Sequence, residues 1–374
     1  MIFPDYKNSV VNVSSSVIKA FGGRVSYPPL KELAFLNKSE KIALLVVDGL
    51  GYEFLKERGQ NTFLWENCIK KITSVFPTTT ASAETSLETG VAPQQHGITG
   101  WTMYLKELGI ISKILLFEAR FGGSLSSAGI SREDIYKESI LTEKISVSSV
   151  LVLPRIVATR FCTENWAASF DDLGGMVGQI EKAFGKPGIC FAYSYWIELD
   201  YICHKYGCAS EEAETHLFAI DEAVRGLAVF LKSENISLIV TADHGLCDIP
   251  KDNRILIQDY PDIYDCLILP LCGDSRAPFC YVKMGRGKEF ENLVKKKLGF
   301  CCVLRKSADF LKNGVFGSGK QNTRLADRIG DYVLLAKEGY TIRDLLMKET
   351  KPVLRAHHGG LSKQEIYVPL IVSR

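Results

Sequence analysis

The chain has 374 residues, of which 46% are hydrophobic and 24% are charged. A chain of this length and composition can bury a large core, which excludes a disordered, collagenous or coiled-coil protein. The 45 Lys and Arg residues nearly balance the 43 Asp and Glu residues, for a net charge of +2, so no basic field favours duplex nucleic acid or an anionic membrane surface.

The N-terminus, the apolar runs and the cysteines bear on localisation. The first eight residues lack the basic region and following apolar stretch of a secretory signal. The longest apolar runs, such as 42–47 and 267–271, are far shorter than the roughly 20 residues that span a membrane. The 11 cysteines include no C-x-x-C pair, and we interpret them as reduced thiols. The sequence therefore predicts a cytoplasmic protein without a membrane span.

Residues 1–40 are polar and turn-rich, and we expect them to wrap the body of the protein. The first core strand is predicted at 41–47, a continuous apolar run typical of a parallel sheet that is buried on both faces. Three further apolar segments predict strands at 190–195, 236–241 and 367–372. Among the intervening helices, the clearest has apolar residues at spacings of three and four: Leu217, Ile220, Val224, Leu227 and Leu231.

Strands that alternate with helices predict an α/β fold with a mostly parallel sheet, whose ligands gather at the carboxyl ends of the strands. The rhythm changes within 265–338, where strands at 279–284, 301–304 and 332–336 and a helix at 288–298 predict a small α+β cap. We therefore predict an N-terminal wrapping segment at 1–40, a catalytic core at 41–264 and 339–374, and an inserted cap at 265–338.

The first polar motifs lie near the predicted first strand. Asp48 directly follows that strand, where a turn or helix-capping role is the simplest interpretation. Thr78, Thr79 and Thr80 precede a helical stretch at 83–88. Threonines at such a position usually cap the helix, but a hydroxyl there is also well placed to attack phosphorus, because the helix N-terminus favours an anion.

Histidine and aspartate recur together later in the chain. Asp200 and His204 are four residues apart, a spacing that places both on one face of a helix, either as a surface pair or as metal ligands. Asp243 and His244 follow the strand predicted at 236–241, in a turn that is often only structural. His358 belongs to a His-His-Gly-Gly segment before the last strand and, taken alone, indicates little.

The combination of these residues is more informative than any single motif. Three aspartates, three histidines and a threonine hydroxyl suit two divalent cations about 3.5 to 4 Å apart, which can activate a hydroxyl and stabilise a leaving oxygen. Imidazole and carboxylate ligands favour zinc, with manganese or iron as substitutes.

The motifs resemble the alkaline phosphatase superfamily, and most closely its type I phosphodiesterase/nucleotide pyrophosphatase branch. The resemblance runs from about residue 41 to the C-terminus. The matching segments are 46–49, 75–80, 89–90, 96–98, 200–207, 241–245 and 358–360. The resemblance implies a three-layer αβα sandwich of the alkaline phosphatase type with a small inserted α+β cap.

The same resemblance implies two divalent metal ions, with Zn²⁺ preferred over Mn²⁺, and Thr80 as the nucleophile. It places one ion on Asp48, Thr80, Asp243 and His244. It places the other on Asp200, His204 and His358. Thr80 is chosen because its spacing along the sequence from Thr89 and Gly90 is the one seen in the family. Thr79 is the alternative nucleophile.

Two departures from the family pattern concern the substrate. Ala81 stands where characterised nucleotide pyrophosphatases have an aromatic residue that packs on the nucleobase, and Ala83 stands where they have an asparagine that donates to a phosphate oxygen. Trp101 and Tyr104 could supply another aromatic wall, although core packing is their simpler interpretation.

We therefore predict a dimetal phosphohydrolase that cleaves phosphodiester or pyrophosphate bonds through a phosphothreonine intermediate. The predicted partner is a small phosphate ester, which could be a nucleotide, and the sequence leaves the oligomeric state open. One alternative is a phosphomonoesterase or phosphomutase, for which Lys320, Arg324 and Arg328 are candidate phosphate-binding residues. Another is an inactive relative that binds metal or ligand. Segment 314–320 has the P-loop spacing but lacks the Ser or Thr after its lysine.

Overall fold

The computed structural model describes residues 1–161, 167–347, 349 and 354–374, whose strands form two seven-stranded sheets and two small ones. The strands are β1 Ile42–Val47, β2 Cys68–Thr73, β3 Thr102–Leu105, β4 Ile110–Lys113, β5 Glu118–Ala119, β6 Ser148–Pro154, β7 Ala167–Phe170, β8 Ile189–Trp196, β9 Ser237–Thr241, β10 Cys247–Asp248, β11 Arg254–Leu256, β12 Cys272–Asp274, β13 Ala277–Cys280, β14 Cys302–Lys306, β15 Tyr332–Ala336, β16 Thr341–Arg343, β17 Ala356–His357 and β18 Tyr367–Ser373.

Helices connect most of these strands. They are α1 Val10–Ala20, α2 Tyr52–Arg58, α3 Phe63–Glu66, α4 Thr80–Thr89, α5 Pro93–His96, α6 Arg132–Ile135, α7 Leu141–Lys144, α8 Arg155–Phe161, α9 Leu173–Phe184, α10 Glu198–Tyr206, α11 Glu211–Ser233, α12 Pro261–Tyr264, α13 Gly287–Lys297, α14 Ser307–Lys312, α15 Leu325–Arg328 and α16 Lys363–Ile366. None of the helices in the described part of the chain is both long and apolar enough to cross a bilayer.

The first large sheet, which we call the central sheet, has the strand order β2-β18-β9-β1-β8-β6-β7. β1 lies at its middle and pairs in parallel with β8 and β9. Every residue of β1 is buried, which explains why its sequence is apolar without alternation. The predicted α/β fold with a mostly parallel sheet is confirmed. β18, however, runs antiparallel to both β9 and β2, so the sheet is mixed.

The second large sheet has the order β14-β15-β13-β12-β3-β4-β5, and its pairings are antiparallel. Strands β13, β14 and β15 and helix α13 correspond to the elements expected between 265 and 338. The same sheet also includes β3, β4 and β5, which lie far earlier in the chain and were not expected there. Because the second sheet also contains these earlier strands, a separate cap bounded at 265 and 338 stays a prediction.

The N-terminal residues pack against helix α4 and the segment around Ser318. Most of α1 is buried, and the hydroxyl of Ser14 donates a 2.7 Å hydrogen bond to the carbonyl of Leu87 in α4. The Tyr27 hydroxyl donates to the carbonyl of Ser318 at 2.7 Å and accepts from its amide at 2.8 Å. The segment with P-loop spacing is thus held by tyrosine contacts from the N-terminal residues.

Candidate metal centre

Two aspartates meet at the carboxyl edge of the central sheet because β1 and β9 are neighbours in parallel register, with Val46 opposite Thr241. Asp48 follows β1 and Asp243 follows β9. Gly49 has a φ of +77°, and a Cβ there would lie 3.0 Å from the Cα of Asp200, so the turn needs glycine. The amide of Gly49 donates to Oδ1 of Asp243 at 3.2 Å, which leaves Oδ2 of Asp243 for another partner.

Helix α10 follows β8 and brings a third aspartate to the same edge. Nε2 of His204 lies 3.3 Å from Oδ2 of Asp200, as the four-residue spacing predicted. Nδ1 of His204 is 2.7 Å from the carbonyl of Ala356 and must donate to it, because a carbonyl only accepts. That hydrogen bond leaves Nε2 unprotonated in the neutral ring, with its lone pair free for a metal ion.

His358 and His244 complete the group. Their rings stack with centroids 4.0 Å apart at 21°. Nε2 of His358 lies 3.9 Å from Oδ1 of Asp200, while Nδ1 of His358 donates to the carbonyl of Thr78 at 3.2 Å. Nε2 of His244 lies 3.3 Å from Oδ2 of Asp243 and 3.6 Å from Oδ1 of Asp48.

Thr80 is the first residue of α4 and is partly exposed, and its Oγ1 lies 3.2 Å from Nε2 of His244. Thr79 is fully buried, and its hydroxyl donates to Oδ1 of Asp274 at 3.2 Å. Of these two threonines, Thr80 is therefore the one whose hydroxyl lies beside His244 and the candidate metal ligands.

The donor atoms form two groups that could each hold a metal ion. In each group the ligand atoms lie within 4.8 Å of one another. One group is Asp48, Asp243 and His244. The other is Asp200, His244 and His358, beside which lies His204. His244 is common to both groups, whereas the family pattern had implied it for one ion only. The structure thus brings together all seven residues that the resemblance assigned to the two ions.

Buried carboxylate oxygens without hydrogen-bond donors in the described part of the chain indicate that these residues are suited to binding cations. The oxygens Oδ1 of Asp48, Oδ1 of Asp200 and Oδ2 of Asp243 are buried and have no hydrogen-bond partner among the described residues. Burial, followed by the nearby carboxylates of Asp243 and Asp200, raises the pKa of Asp48 well above its ordinary value. Buried anionic oxygens without donors are costly unless a cation lies beside them, and divalent ions would satisfy all three.

A cavity of about 1230 Å³ opens beside these residues and is lined by Thr80, Asp200, His204 and His358. Trp101 lines the cavity and is 36% exposed, so it is available as an aromatic wall. Tyr104 instead packs edge-on against Tyr281 at 5.5 Å, in agreement with a role in the core.

Three residues at the site were not found by sequence reasoning. Asp274 lies at the cavity, accepts from Thr79 and from the amide of Trp101 at 3.1 Å, and has its pKa raised to about 6 by burial. Tyr195 donates a 2.5 Å hydrogen bond to Oδ2 of Asp48. Lys113 lines the cavity from β4. None of the three belongs to a motif with a characteristic spacing, so only the fold identifies them.

The two positions after Thr80 that depart from the family pattern do not line the cavity. Ala81 and Ala83 are fully buried and pack in two hydrophobic clusters. The cations considered for a phosphomonoesterase do not line the cavity either. Arg328 is fully buried rather than exposed and donates to Glu107, which also pairs with Arg324.

Comparisons with known proteins agree with this architecture. The sequence profile of the type I phosphodiesterase / nucleotide pyrophosphatase family matches residues 42–361. Human bis(5'-adenosyl)-triphosphatase ENPP4 is 25% identical over 321 residues, which cover 81% of this chain and 66% of the human protein. The murine protein is 25% identical over 264 residues, which cover 66% of this chain and 56% of that protein. The chain thus spans between about half and two thirds of the length of these curated relatives.

Solved structures resemble the fold over most of the chain. Murine ectonucleotide pyrophosphatase / phosphodiesterase 5 matches with a TM-score of 0.69 and 19% identity, covering 89% of this chain and 88% of that chain. An inactive variant of the same murine protein in complex with AMP matches with a TM-score of 0.68, 19% identity and coverage of 90% and 88%. Phosphonoacetate hydrolase from Sinorhizobium meliloti, in complex with phosphonoformate, matches with a TM-score of 0.64, 19% identity and coverage of 89% and 90%.

Proposed function

Because the chain belongs to the type I phosphodiesterase / nucleotide pyrophosphatase family, we propose that it is a dimetal-dependent hydrolase of phosphodiester or pyrophosphate bonds with Thr80 as its nucleophile. The proposed ligands of one ion are Asp48, Thr80, Asp243 and His244. The proposed ligands of the other are Asp200, His204 and His358. Zinc is the proposed metal and manganese its substitute, because the set combines carboxylate oxygens with imidazole nitrogens.

One observation carries the proposal. Three buried carboxylate oxygens that have no hydrogen-bond donor among the described residues, and the Nε2 atoms of three histidines, converge at the same edge of the sheet as the Thr80 hydroxyl. A protein that only needed a stable fold would not gather three aspartates in this way, because burying them without counter-charge is destabilising. The intact ligand set also speaks against the inactive relative as an alternative.

The residues of the chain supply position and orientation. The Thr80 oxygen would form the new bond to phosphorus as the bond to the leaving oxygen breaks, and water would later cleave the phosphothreonine. Thr80 begins the ten-residue helix α4, whose free amides favour an anionic phosphoryl group there. Hydrogen bonds from His204 to Ala356 and from His358 to Thr78 fix both imidazoles with Nε2 toward the carboxylates. When bound, the two cations lower the pKa of the hydroxyl and stabilise charge on the leaving oxygen.

The proposed substrate is a small phosphate ester, with a nucleotide as the first candidate. Support comes from the AMP bound to the structural relative and from the exposed face of Trp101 at the cavity. Ala81 and Ala83 lie in the core and offer no contact to a base, so any base must be bound by other residues.

A comparison of three chromogenic substrates tests this function. The purified chain, supplied with zinc or manganese, should hydrolyse bis(p-nitrophenyl) phosphate and p-nitrophenyl thymidine 5'-monophosphate faster than p-nitrophenyl phosphate. A preference for the monoester would replace the proposal by a phosphomonoesterase. The absence of turnover on all three, together with fewer than one tightly bound metal per chain, would favour the inactive relative.

A further inference from the structure

The three consecutive threonines before α4 contact three different parts of the molecule. Oγ1 of Thr80 lies beside His244, and the hydroxyl of Thr79 donates to Asp274. Thr79 is the N-cap residue of α4, yet its side chain caps none of the amides of that fully described helix. The capping role that is typical of threonine at the start of a helix therefore does not explain this segment.

Thr78 is fully buried and binds the loop that carries His358. Its hydroxyl donates to the carbonyl of Gly360 at 2.8 Å and accepts from the amide of Gly359 at 3.2 Å. Its backbone carbonyl accepts the 3.2 Å hydrogen bond from Nδ1 of His358, a residue 280 positions away in the chain. One threonine thus holds the imidazole and peptide groups of the two residues that follow it.

The loop of residues 358–360 is tightly packed. Gly359 has a φ of +112°, and a Cβ there would lie 2.6 Å from the Cβ of Asp274. The amide of Gly360 donates to Oε1 of Glu365 at 2.8 Å. Thr78 and Glu365 therefore both hold this loop, and of the two it is Thr78 that also lies next to the proposed nucleophile in the sequence.

The contacts of Thr78 join the two sides of the candidate metal centre. Thr78 lies two residues before Thr80, and Nε2 of His358 lies 3.9 Å from Oδ1 of Asp200. The direction of a metal-binding imidazole is set by the partner of its other ring nitrogen, which here is the carbonyl of Thr78. Without the hydroxyl, the amide of Gly359 would lose its acceptor, and the loop would be free to shift against the nucleophile segment.

We propose that Thr78 is a positioning residue whose hydroxyl fixes His358 relative to Thr80, and that it thereby sets the affinity for the ion assigned to Asp200, His204 and His358. The inference rests on the proposed function for the identity of these ligands. It goes beyond that function because Thr78 is not one of the proposed metal ligands. The ion assigned to the other ligand group should depend on Thr78 far less.

Zinc titrations of the full chain by calorimetry test this role without any substrate. Thr78→Val keeps the shape of the side chain and removes its hydroxyl, so we expect it to weaken one of the two zinc ions by about 10- to 100-fold and to leave the other within about twofold. Thr78→Ser keeps the hydroxyl and should bind both ions as the wild type does. Should Thr78→Val fail to unfold cooperatively, Thr78→Ala carries the same expectation, because it leaves space for a water molecule.

A matched control removes another buried threonine hydroxyl. Thr99 is fully buried and donates to the carbonyl of Arg328 at 3.3 Å. Thr99→Val should therefore also cost stability, measured as a lower melting temperature, but should leave the affinities for both zinc ions unchanged. Weaker zinc binding in Thr99→Val, of the same size as in Thr78→Val, would show a general effect of destabilisation and would overturn the positioning role.

A double-mutant cycle decides whether Thr78 acts through His358. In a chain that carries His358→Ala, the further change Thr78→Val should leave the remaining zinc affinity unchanged, because the contact through which it acts is already lost. The same weakening in both backgrounds, or normal binding of both ions by Thr78→Val, would overturn the inference.

Failure of the proposed function gives a different result. A wild-type chain that binds two zinc ions but hydrolyses none of the three chromogenic substrates would contradict the hydrolase and leave the comparison of zinc affinities valid. A wild-type chain that binds no zinc would overturn both proposals, and the wild-type titration alone would show it.

Discussion

Oγ1 of Thr80 lies 3.2 Å from Nε2 of His244, and that imidazole belongs to both candidate metal groups. The proposed nucleophile thus lies where the two groups meet. It is held there by the first turn of α4, a helix that the N-terminal residues support through the hydrogen bond from Ser14 to Leu87. Because of this arrangement, separate variants should affect catalysis, metal binding and stability.

Thr80→Ala should lower kcat by about three orders of magnitude or more, because the attacking oxygen is removed. Thermal unfolding and metal content, measured by melting and by emission spectroscopy, should change little. Thr79→Ala is the matched control. Its hydroxyl contacts Asp274 rather than the metal groups, so it should keep most of the activity. Equal loss in both variants would reject Thr80 as the specific nucleophile.

Removal of metal should abolish turnover and lower the melting temperature together. The buried oxygens of Asp48, Asp200 and Asp243 would lose their proposed counter-charge, and a ligand that binds the folded state stabilises it by mass action. After chelation, refilling with zinc should restore activity at close to two equivalents per chain. A melting temperature that is independent of zinc concentration would contradict the assignment.

Tyr195→Phe should weaken metal binding by about 10- to 100-fold, because the hydroxyl that orients Asp48 is lost while the ring remains. Activity at saturating metal should recover most of its wild-type value. The measurement is a metal titration of activity. Tyr104→Phe provides a comparison at a partly buried tyrosine that packs on Tyr281 and should leave the titration unchanged.

Glu365→Gln should destabilise the protein by about 3–5 kcal/mol, since it breaks a buried ion pair and leaves Arg276 without its partner. Arg276 is 1% exposed and Glu365 is fully buried, and two hydrogen bonds of 3.0 and 2.7 Å join them. Denaturant unfolding at neutral pH measures this change. A loss below about 1 kcal/mol would show that the pair is not coupled to global stability.

The same pair predicts the dependence of stability on acid. Burial by itself would raise the pKa of Glu365, but the Arg276 guanidinium and hydrogen bonds outweigh burial and lower it. The pKa in the folded state therefore lies below that of the unfolded state, about 4.3. The stabilisation is complete above the unfolded value and is lost as the pH falls through the folded value. The difference in unfolding free energy between wild type and Glu365→Gln should thus shrink in acid. A difference that does not depend on pH would contradict a lowered pKa of Glu365 in the folded state.

The sequence anticipated the parts of the site that depend on local patterns. Continuous apolar runs predicted β1, β8 and β9, because strands buried on both faces have no polar side to display. The four-residue spacing of Asp200 and His204 predicted their contact on α10. Strand direction is not encoded in this way, and the antiparallel course of β18 could not be predicted from its apolar sequence.

Residues that reach the site through long-range pairing escaped prediction. Asp274 follows a glycine in a three-residue strand, and its contact with Thr79 joins positions 195 residues apart. Tyr195 lies in a mostly apolar strand, where an aromatic residue normally indicates core packing. For Lys113, only the pairing of β3 with β12 brings its hairpin to the cavity. No local spacing in the sequence indicates these long-range contacts.

The joining of β3 and β4 to the second sheet has a consequence for how enzymes of this type can diversify. The residues proposed to bind metal sit on turns and helices at the edge of the central sheet, whereas Thr102 and Lys113, which line the cavity, sit on a hairpin of the second large sheet. Substitutions in that hairpin can therefore reshape the wall of the cavity while the proposed metal ligands stay in place.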